Sequence, residues 1–332
     1  MTDRYPQLLR NPGRRWWVPP LGLLVAALTL VVASVGVVLA ASTVGAMLGV
    51  EEPFSEEALS ADTPLGLAAN NLAIAMIVPA VLVAVLAVHR ERIGWLSSVV
   101  ARLRPGLLGR FFVVAFGLVV VFFGATFLVP PVGFGDVDVP SGGRLVALFA
   151  VILLTTPLQA AAEEYGFRGY LTQALCSWFA RPRVGTVVAA VVTAFLFALA
   201  HGVQDAWLFS DRFLFGLVAS WLAWRTGGLE AAIALHVANN LVSLGYSATT
   251  GTLAESLAAS SLDWEYAVID VAMMLVFAVT VHRLAGRWQL TVRRVVAQPG
   301  PPDSSPSGSG VLSGPPAVGY PDARSDSHWG MG

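Results

Sequence analysis

Successive apolar runs, each long enough to cross a bilayer, constrain this chain more than any other feature. About 20 apolar residues suffice for a helix to span the hydrocarbon core. Runs of this kind lie near residues 17–50, 66–88, 110–129, 145 onward, 184–201, 213–224, 229–246 and 264–281. The 332 residues are 56% hydrophobic and 12% charged, with a mean hydropathy of +0.69, a composition typical of polytopic membrane proteins. We therefore expect an all-α membrane bundle of eight transmembrane helices.

The first run is longer than the apolar core of a secretory signal peptide, so its length favours a retained transmembrane helix. Cleavage near Leu39–Ser42 is the alternative interpretation, which this length does not favour.

The arginines test the number of spans, because cytoplasmic loops collect positive charge. All 20 basic residues are arginine. With the N-terminus inside, an eight-span arrangement assigns only Arg144 and Arg212 to outer loops, beside most of the acidic residues. The pattern predicts a multi-pass protein of the cell membrane with both termini cytoplasmic. The basic stretches lack interleaved aromatic residues and face the membrane surface, which favours anionic lipid as a partner over nucleic acid.

Composition divides the chain into five parts. We expect a cytoplasmic segment at 1–16, three transmembrane helices within 17–143, a catalytic core at 144–248, an outer loop with the last transmembrane helix at 249–296, and a tail at 297–332. The tail is rich in Pro, Gly and Ser and is predicted to be disordered in the cytoplasm. The single cysteine, Cys176, excludes an internal disulfide framework and a multi-cysteine metal site.

Two adjacent carboxylates and an arginine interrupt the fourth apolar run. Charges within a membrane span mark a candidate functional site, because they are costly to place in hydrocarbon. Glu164 and Arg168 are four residues apart, so a helix places them on one face as an ion pair. Glu163 points elsewhere, and an unpaired carboxylate in a poorly solvated place suits a general base. A structural salt bridge between helices is the alternative interpretation.

Further polar residues lie in the fifth and seventh runs. His201 follows Phe197 by four residues, and Asn240 follows His236 by four residues, on the same helical face. Taken singly, each histidine fits a hydrogen bond across a helix pair, and Phe197 fits core packing. If runs four and five form an antiparallel hairpin, Glu163 and His201 stand 18 residues from either side of a turn at 181–183, and thus at one level.

Three motifs in this order carry a resemblance to a known family. EExxxR at 163–168, FxxxH at 197–201 and HxxxN at 236–240 resemble those of the CPBP family of intramembrane proteases. This family is also called CAAX prenyl protease type II, Rce1-like or Abi. The resemblance covers about 145–248 and does not extend to the first three spans or the tail.

The resemblance implies hydrolysis of peptide bonds of membrane-associated, possibly prenylated, proteins in a cavity open to the cytoplasm. Glu163 would activate water with the help of His201, while His236 and Asn240 would stabilise the oxyanion. Glu164 and Arg168 would set the geometry around Glu163, with Phe197 in a supporting position. Glu163, His201 and His236 would also make a three-ligand zinc site with an open position for water. A metal-free mechanism uses the same residues, and the sequence leaves both open.

Two other functions compete with proteolysis. One is a non-catalytic membrane scaffold or immunity protein, and the other is a transporter, which the lack of inverted repeats disfavours. The sequence GFGD at 133–136 resembles an aspartyl protease motif, but it lies in a predicted outer loop and is interpreted as a turn. Asp270, in the last span, is an acid without an assigned role, either in a polar contact between helices or in the cavity.

Overall fold

The computed structural model describes residues 2–10, 15–50, 52–128 and 140–295, and these residues form a helical protein. The α-helices are α1 (Val18–Met47), α2 (Pro64–Ala75), α3 (Ile77–Ala84), α4 (Pro105–Thr126), α5 (Gly142–Glu164), α6 (Thr172–Cys176), α7 (Pro182–Leu199), α8 (Ala206–Thr226), α9 (Glu230–Thr250), α10 (Leu253–Leu257) and α11 (Trp264–Arg287), of which α6 and α10 are short. The predicted tail at 297–332 and the GFGD segment lie outside the described residues.

Six segments among the described residues are long and apolar enough to cross a membrane. They are Val18–Met47, Pro64–His89, Pro105–Thr126, Gly142–Cys176, Pro182–Leu199 and Trp264–Arg287. The prediction of an all-α polytopic membrane protein is thereby confirmed. Helices α8 and α9 have 21 residues each but are not among the six. Helix α8 carries three charged side chains, and α9 carries a glutamate and two asparagines. These residues lower the hydropathy of both helices, so eight spans remain a prediction.

Two of the six segments contain a π-helical turn. Val85–His89 continues α3, and Tyr165–Leu171 joins α5 to α6. A π turn contains an extra residue relative to an α-helical turn, and such turns are frequent at functional sites. The second of them directly follows the two adjacent glutamates.

Capping residues set the ends of α8. The Asp205 side chain accepts a hydrogen bond from the Leu208 amide at 2.8 Å, and the C-cap residue is Gly227, which has a φ of 73°. Glycine adopts this left-handed conformation without a side-chain clash. The helix therefore includes Asp211 and Arg212, and our prediction that these two residues lie in an outer loop is wrong. The N-cap at Asp205 lies eight residues before the predicted apolar run and outweighs the hydropathy pattern.

Helix α9 lies at the centre of the protein. All of its residues from Glu230 to Ala238 are buried, and it contributes to a core with α4, α8 and α11 as well as to a second core with α5. A helix that is buried on every side leaves its polar residues to be satisfied by other helices. His236 and Asn240 therefore face protein partners.

The two ends of the described chain lie together. Strand β1 (Thr2–Arg4) pairs antiparallel with β2 (Arg293–Val295). The Arg4 guanidinium lies 4.1 Å from the centre of the Trp224 ring, near the end of α8. Short 3₁₀ turns at Tyr5–Gln7 and Ile93–Leu96 join the same end of the bundle, where the Tyr5 hydroxyl donates to the Leu96 carbonyl.

The loop before α4 contacts the turn between α8 and α9 at this end. The Leu229 amide donates to the Ser97 carbonyl at 3.0 Å, and Arg104 pairs with the buried Glu230 carboxylate at 2.7 Å. Charge-assisted bonds of this kind fix the orientation of both partners. The start of α9 is thus anchored to the loop that precedes α4.

Candidate active site

Glu163 and Glu164 are the last two residues of α5, and the π turn that follows contains Arg168. The Arg168 Nη1 donates to the Glu164 Oε1 at 3.0 Å, and both side chains are fully buried. The predicted ion pair is confirmed. It neutralises a carboxylate inside the bundle, where an unpaired charge would be costly.

His236 of α9 lies between the two carboxylates. Its Nδ1 is 2.8 Å from the Glu164 Oε1, and its Nε2 is 3.6 Å from the Glu163 Oε2. Since the Glu164 carboxylate also accepts from Arg168, Nδ1 is the protonated nitrogen that donates to it. Arg168, Glu164 and His236 form a continuous chain that orients the Nε2 of His236 toward Glu163.

The two oxygens of Glu163 have different surroundings. Oε1 accepts a hydrogen bond from the Gln159 amide at 2.5 Å. Oε2 is buried and has no hydrogen-bond partner among the described residues. A buried carboxylate oxygen without a donor is costly in a purely structural role and calls for an explanation.

His201 follows the end of α7, and its side chain is exposed. The Nδ1 lies 2.8 Å from the Phe197 carbonyl oxygen, which can only accept, so Nδ1 carries the proton and Nε2 is the free acceptor. The imidazole interacts electrostatically with Glu163 and with His236. The site thus brings Glu163 and His236 into direct proximity, with His201 at its edge.

The predicted hairpin accounts for the position of His201. The Thr172 hydroxyl lies 3.1 Å from the Thr193 hydroxyl, which fixes the register between α6 and α7. Nine residues back from Thr172 is Glu163, and eight residues beyond Thr193 is His201. Antiparallel helices in this register bring these two candidate site residues to a similar level.

Phe197 supports the site through its ring. The ring centre lies 4.2 Å from the Arg168 guanidinium carbon, and the Phe215 ring lies 5.6 Å from the same carbon. The Nε and Nη2 of Arg168 are buried without a hydrogen-bond partner among the described residues. Cation–π contacts therefore stabilise the part of the guanidinium that the Glu164 carboxylate does not reach.

Asn240 lies one turn beyond His236. Its Nδ2 donates to the Oε1 of Gln159 at 3.2 Å. Sequence reasoning did not identify Gln159. The available signal was a polar residue four positions before Glu163 in an apolar helix, which places both on one helical face.

A second polar cluster lies on α8 and α11, and of its members the sequence analysis singled out only Asp270. The Asp270 and Asp211 carboxyl groups lie within hydrogen-bonding reach of each other, so Asp270 makes the polar contact between helices. The neighbouring Arg212 interacts electrostatically with Glu163, and its Nη1 is buried without a hydrogen-bond partner among the described residues. Arg212 is therefore part of the electrostatic surroundings of Glu163.

The zinc hypothesis requires three ligands around one point. Within residues 2–10, 15–50, 52–128 and 140–295, no group of three or more His, Cys, Asp or Glu side chains is arranged to hold a metal ion. The described residues thus do not form the three-ligand site, and we derive no step through a metal.

The fold and site define a membrane-embedded helical protein with a buried Glu/His cluster. Residues 145–242, which contain all three motifs, match the family described as Type II CAAX prenyl endopeptidase Rce1-like. This part of the chain is therefore similar to an Rce1-like domain.

A curated relative is the Uncharacterized protein YyaK of Bacillus subtilis (strain 168). It is 29% identical over 107 residues, which are 30% of this chain and 34% of that protein. The match thus spans about a third of the relative's length. No solved structure matches.

Proposed function

We propose that this protein is an intramembrane endopeptidase that hydrolyses peptide bonds of membrane-associated proteins, including prenylated ones. The observation that carries the proposal is the environment of the Glu163 Oε2. This oxygen is buried, has no hydrogen-bond partner among the described residues, and faces the Nε2 of His236 at 3.6 Å. A carboxylate oxygen that accepts no hydrogen bond from the protein, beside an oriented imidazole, is the arrangement that a general base for water requires.

In the proposed reaction, Oε2 of Glu163 takes a proton from a water molecule as the water oxygen attacks the peptide carbonyl carbon. The carbonyl oxygen becomes an oxyanion. When His236 carries both protons, its Nε2–H donates to that oxyanion, and Asn240 supplies a second donor. Glu163 then passes the proton to the leaving amine as the C–N bond breaks.

His201 assists from the edge of the site. Because its Nδ1 donates to the Phe197 carbonyl, its Nε2 accepts and can share the proton of the attacking water. Glu164 and Arg168 act through His236, since Glu164 contacts the Nδ1 of His236 and Arg168 contacts Glu164, whereas neither touches the reacting atoms.

The proposal includes eight crossings of the cell membrane with both termini in the cytoplasm, and membrane lipid as a partner. Pairing of β1 with β2 supports a position of both ends on one side, and hence an even number of crossings. The contacts of Ser97 and Arg104 with the start of α9 favour eight over six, because the loop before α4 would lie inside in either arrangement. The arginine distribution supports a cytoplasmic position for this end.

The test is Glu163→Gln, which keeps the size of the side chain and removes the base. The purified protein in detergent micelles is assayed with an internally quenched peptide carrying a farnesylated cysteine, and with the same peptide unmodified. General base catalysis predicts a loss of at least about 100-fold in kcat. Glu255→Gln, an exposed position on α10, is the matched control and should keep full activity.

The outcomes separate the candidate functions. Cleavage of both peptides would support an endopeptidase without a prenyl requirement. Hydrolysis that persists in the Glu163→Gln variant would overturn the proposed mechanism. Wild-type protein that cleaves neither peptide would overturn the proposal and favour the scaffold.

A further inference from the structure

Gln159 joins the two sides of the candidate active site. Its side chain is only 8% exposed, its amide nitrogen donates to Glu163, and its carbonyl oxygen accepts from Asn240. We propose that Gln159 is a positioning residue that makes Oε2 the basic oxygen of Glu163 and holds Asn240 in place. This inference rests on the proposed function and extends it to a residue outside the three motifs.

The direction of both hydrogen bonds follows from the charge on Glu163. A carboxylate can only accept, so the Gln159 Nε2 must be the donor at 2.5 Å. The Gln159 Oε1 then faces α9, and only the NH₂ group of Asn240 can complete that contact at 3.2 Å. The orientation of the Asn240 amide is thus determined by Glu163 through Gln159.

This relay gives the two oxygens of Glu163 separate roles. Oε1 is occupied by the Gln159 donor, whereas Oε2 remains open toward His236. Oε2, on the side where His236 and His201 lie, is therefore the Glu163 oxygen that is left to accept a proton from water. The second N–H of Asn240 stays free of Gln159 and is available to the oxyanion.

Glutamine suits this position for a chemical reason. Methionine has a similar length but offers neither the donor nor the acceptor. Glutamate has the same shape but cannot donate when ionised, and it would place a second anion against Glu163. A side chain that only filled space between α5 and α9 would tolerate methionine, because similar volumes are exchanged with little effect in protein cores.

The test is Gln159→Met, assayed with the farnesylated quenched peptide in the full-length protein. We expect kcat to fall about 10- to 100-fold, the effect of a misplaced catalytic group, with KM changed less than about threefold, since the loss is confined to the transition state. The control is Asn71→Leu, which removes a buried amide on α2 that donates to Thr155 and Thr156 of α5 at 2.9 and 3.2 Å. It should leave kcat close to the wild-type value.

A double variant tests the link to Asn240. If Gln159 acts by holding Asn240 and Glu163, the Gln159→Met/Asn240→Ala variant loses less than the product of the two single losses, because both affect one unit. If Gln159→Met does not fold, Gln159→Asn serves instead, since its shorter amide cannot span both partners.

Each outcome bears on a different claim. Full kcat in Gln159→Met, with activity still dependent on Glu163, would overturn the inference and leave the proposed function intact. An equal loss of kcat in Asn71→Leu, or fully multiplicative losses in the double variant, would also overturn it. Absence of Glu163-dependent hydrolysis in the wild type would overturn both.

Discussion

Arg168 is the most enclosed cation of the described protein, and its surroundings explain how a charge is held within the bundle. Its guanidinium meets one carboxylate, Glu164, and stacks on the rings of Phe197 and Phe215. A buried ion pair adds little net stability over apolar residues, but removing one partner leaves the other charge uncompensated.

Replacing Arg168 by methionine should therefore destabilise the protein by about 3–5 kcal/mol, because Glu164 would stay buried without its cation. The measurement is denaturant-induced unfolding in detergent micelles. Arg144→Gln is the matched control, since the Arg144–Asp62 pair is half-exposed, with side chains 47% and 33% accessible; such pairs contribute less than about 1 kcal/mol. Similar losses in the two variants would contradict this account of Arg168.

At this scale, the spacing of residues along one helix was sufficient to predict the Glu164–Arg168 pair. It was not sufficient to predict that His236 faces both carboxylates, or that Gln159 connects Glu163 to Asn240. Those contacts depend on the rotation of α9 against α5 and on the π turn after Glu164. The sequence of a helix shows which residues share a face, but it does not show which neighbouring helix that face contacts.

The contact between α7 and α8 depends on a small residue. Gly216 of α8 lies so close to α7 that a β-carbon at this position would stand 2.7 Å from the Ala194 Cα. The atom in the way belongs to the backbone, so it cannot move aside as a flexible side chain would. This approach places Phe215 against Arg168 and His236.

Gly216→Ala should accordingly destabilise the protein by about 1–3 kcal/mol, as overpacking does in well-packed cores. Thermal unfolding of the detergent-solubilised protein measures the effect. The control is Gly117→Ala on α4, where a β-carbon would meet no atom within 4 Å and where alanine is the better helix former. Unfolding at the wild-type temperature in Gly216→Ala would show that α7 and α8 can separate freely.

At the scale of elements, the apolar runs predicted the existence and order of the long helices. The start of α8 was missed because its first two turns carry Asp211 and Arg212, which hydropathy assigns to a loop. The fold accommodates these polar residues because Asp211 lies against Asp270 and Arg212 interacts electrostatically with Glu163. Hydropathy predicts which segments are stable in contact with lipid. It does not predict a helical segment whose polar side chains contact one another inside the protein.

The arrangement of the whole molecule is tested by the proposed eight crossings. With Cys176 replaced by alanine, single cysteines at Arg92 and Arg225 should react with a membrane-impermeant maleimide only after the cell membrane is opened. A cysteine at Glu57 should react in intact cells. If α8 and α9 did not cross, the Arg225 position would lie outside, and labelling there in intact cells would contradict eight spans.

The pairing of β1 with β2 has a consequence for biosynthesis. The first strand leaves the ribosome almost 300 residues before its partner, so it waits unpaired while every helix between them is inserted. Pairing of the two strands can therefore occur only after all the membrane helices have been synthesised. A truncation that ends before Arg293 would leave the strand Thr2–Arg4 without its partner even though each membrane helix had been made in full.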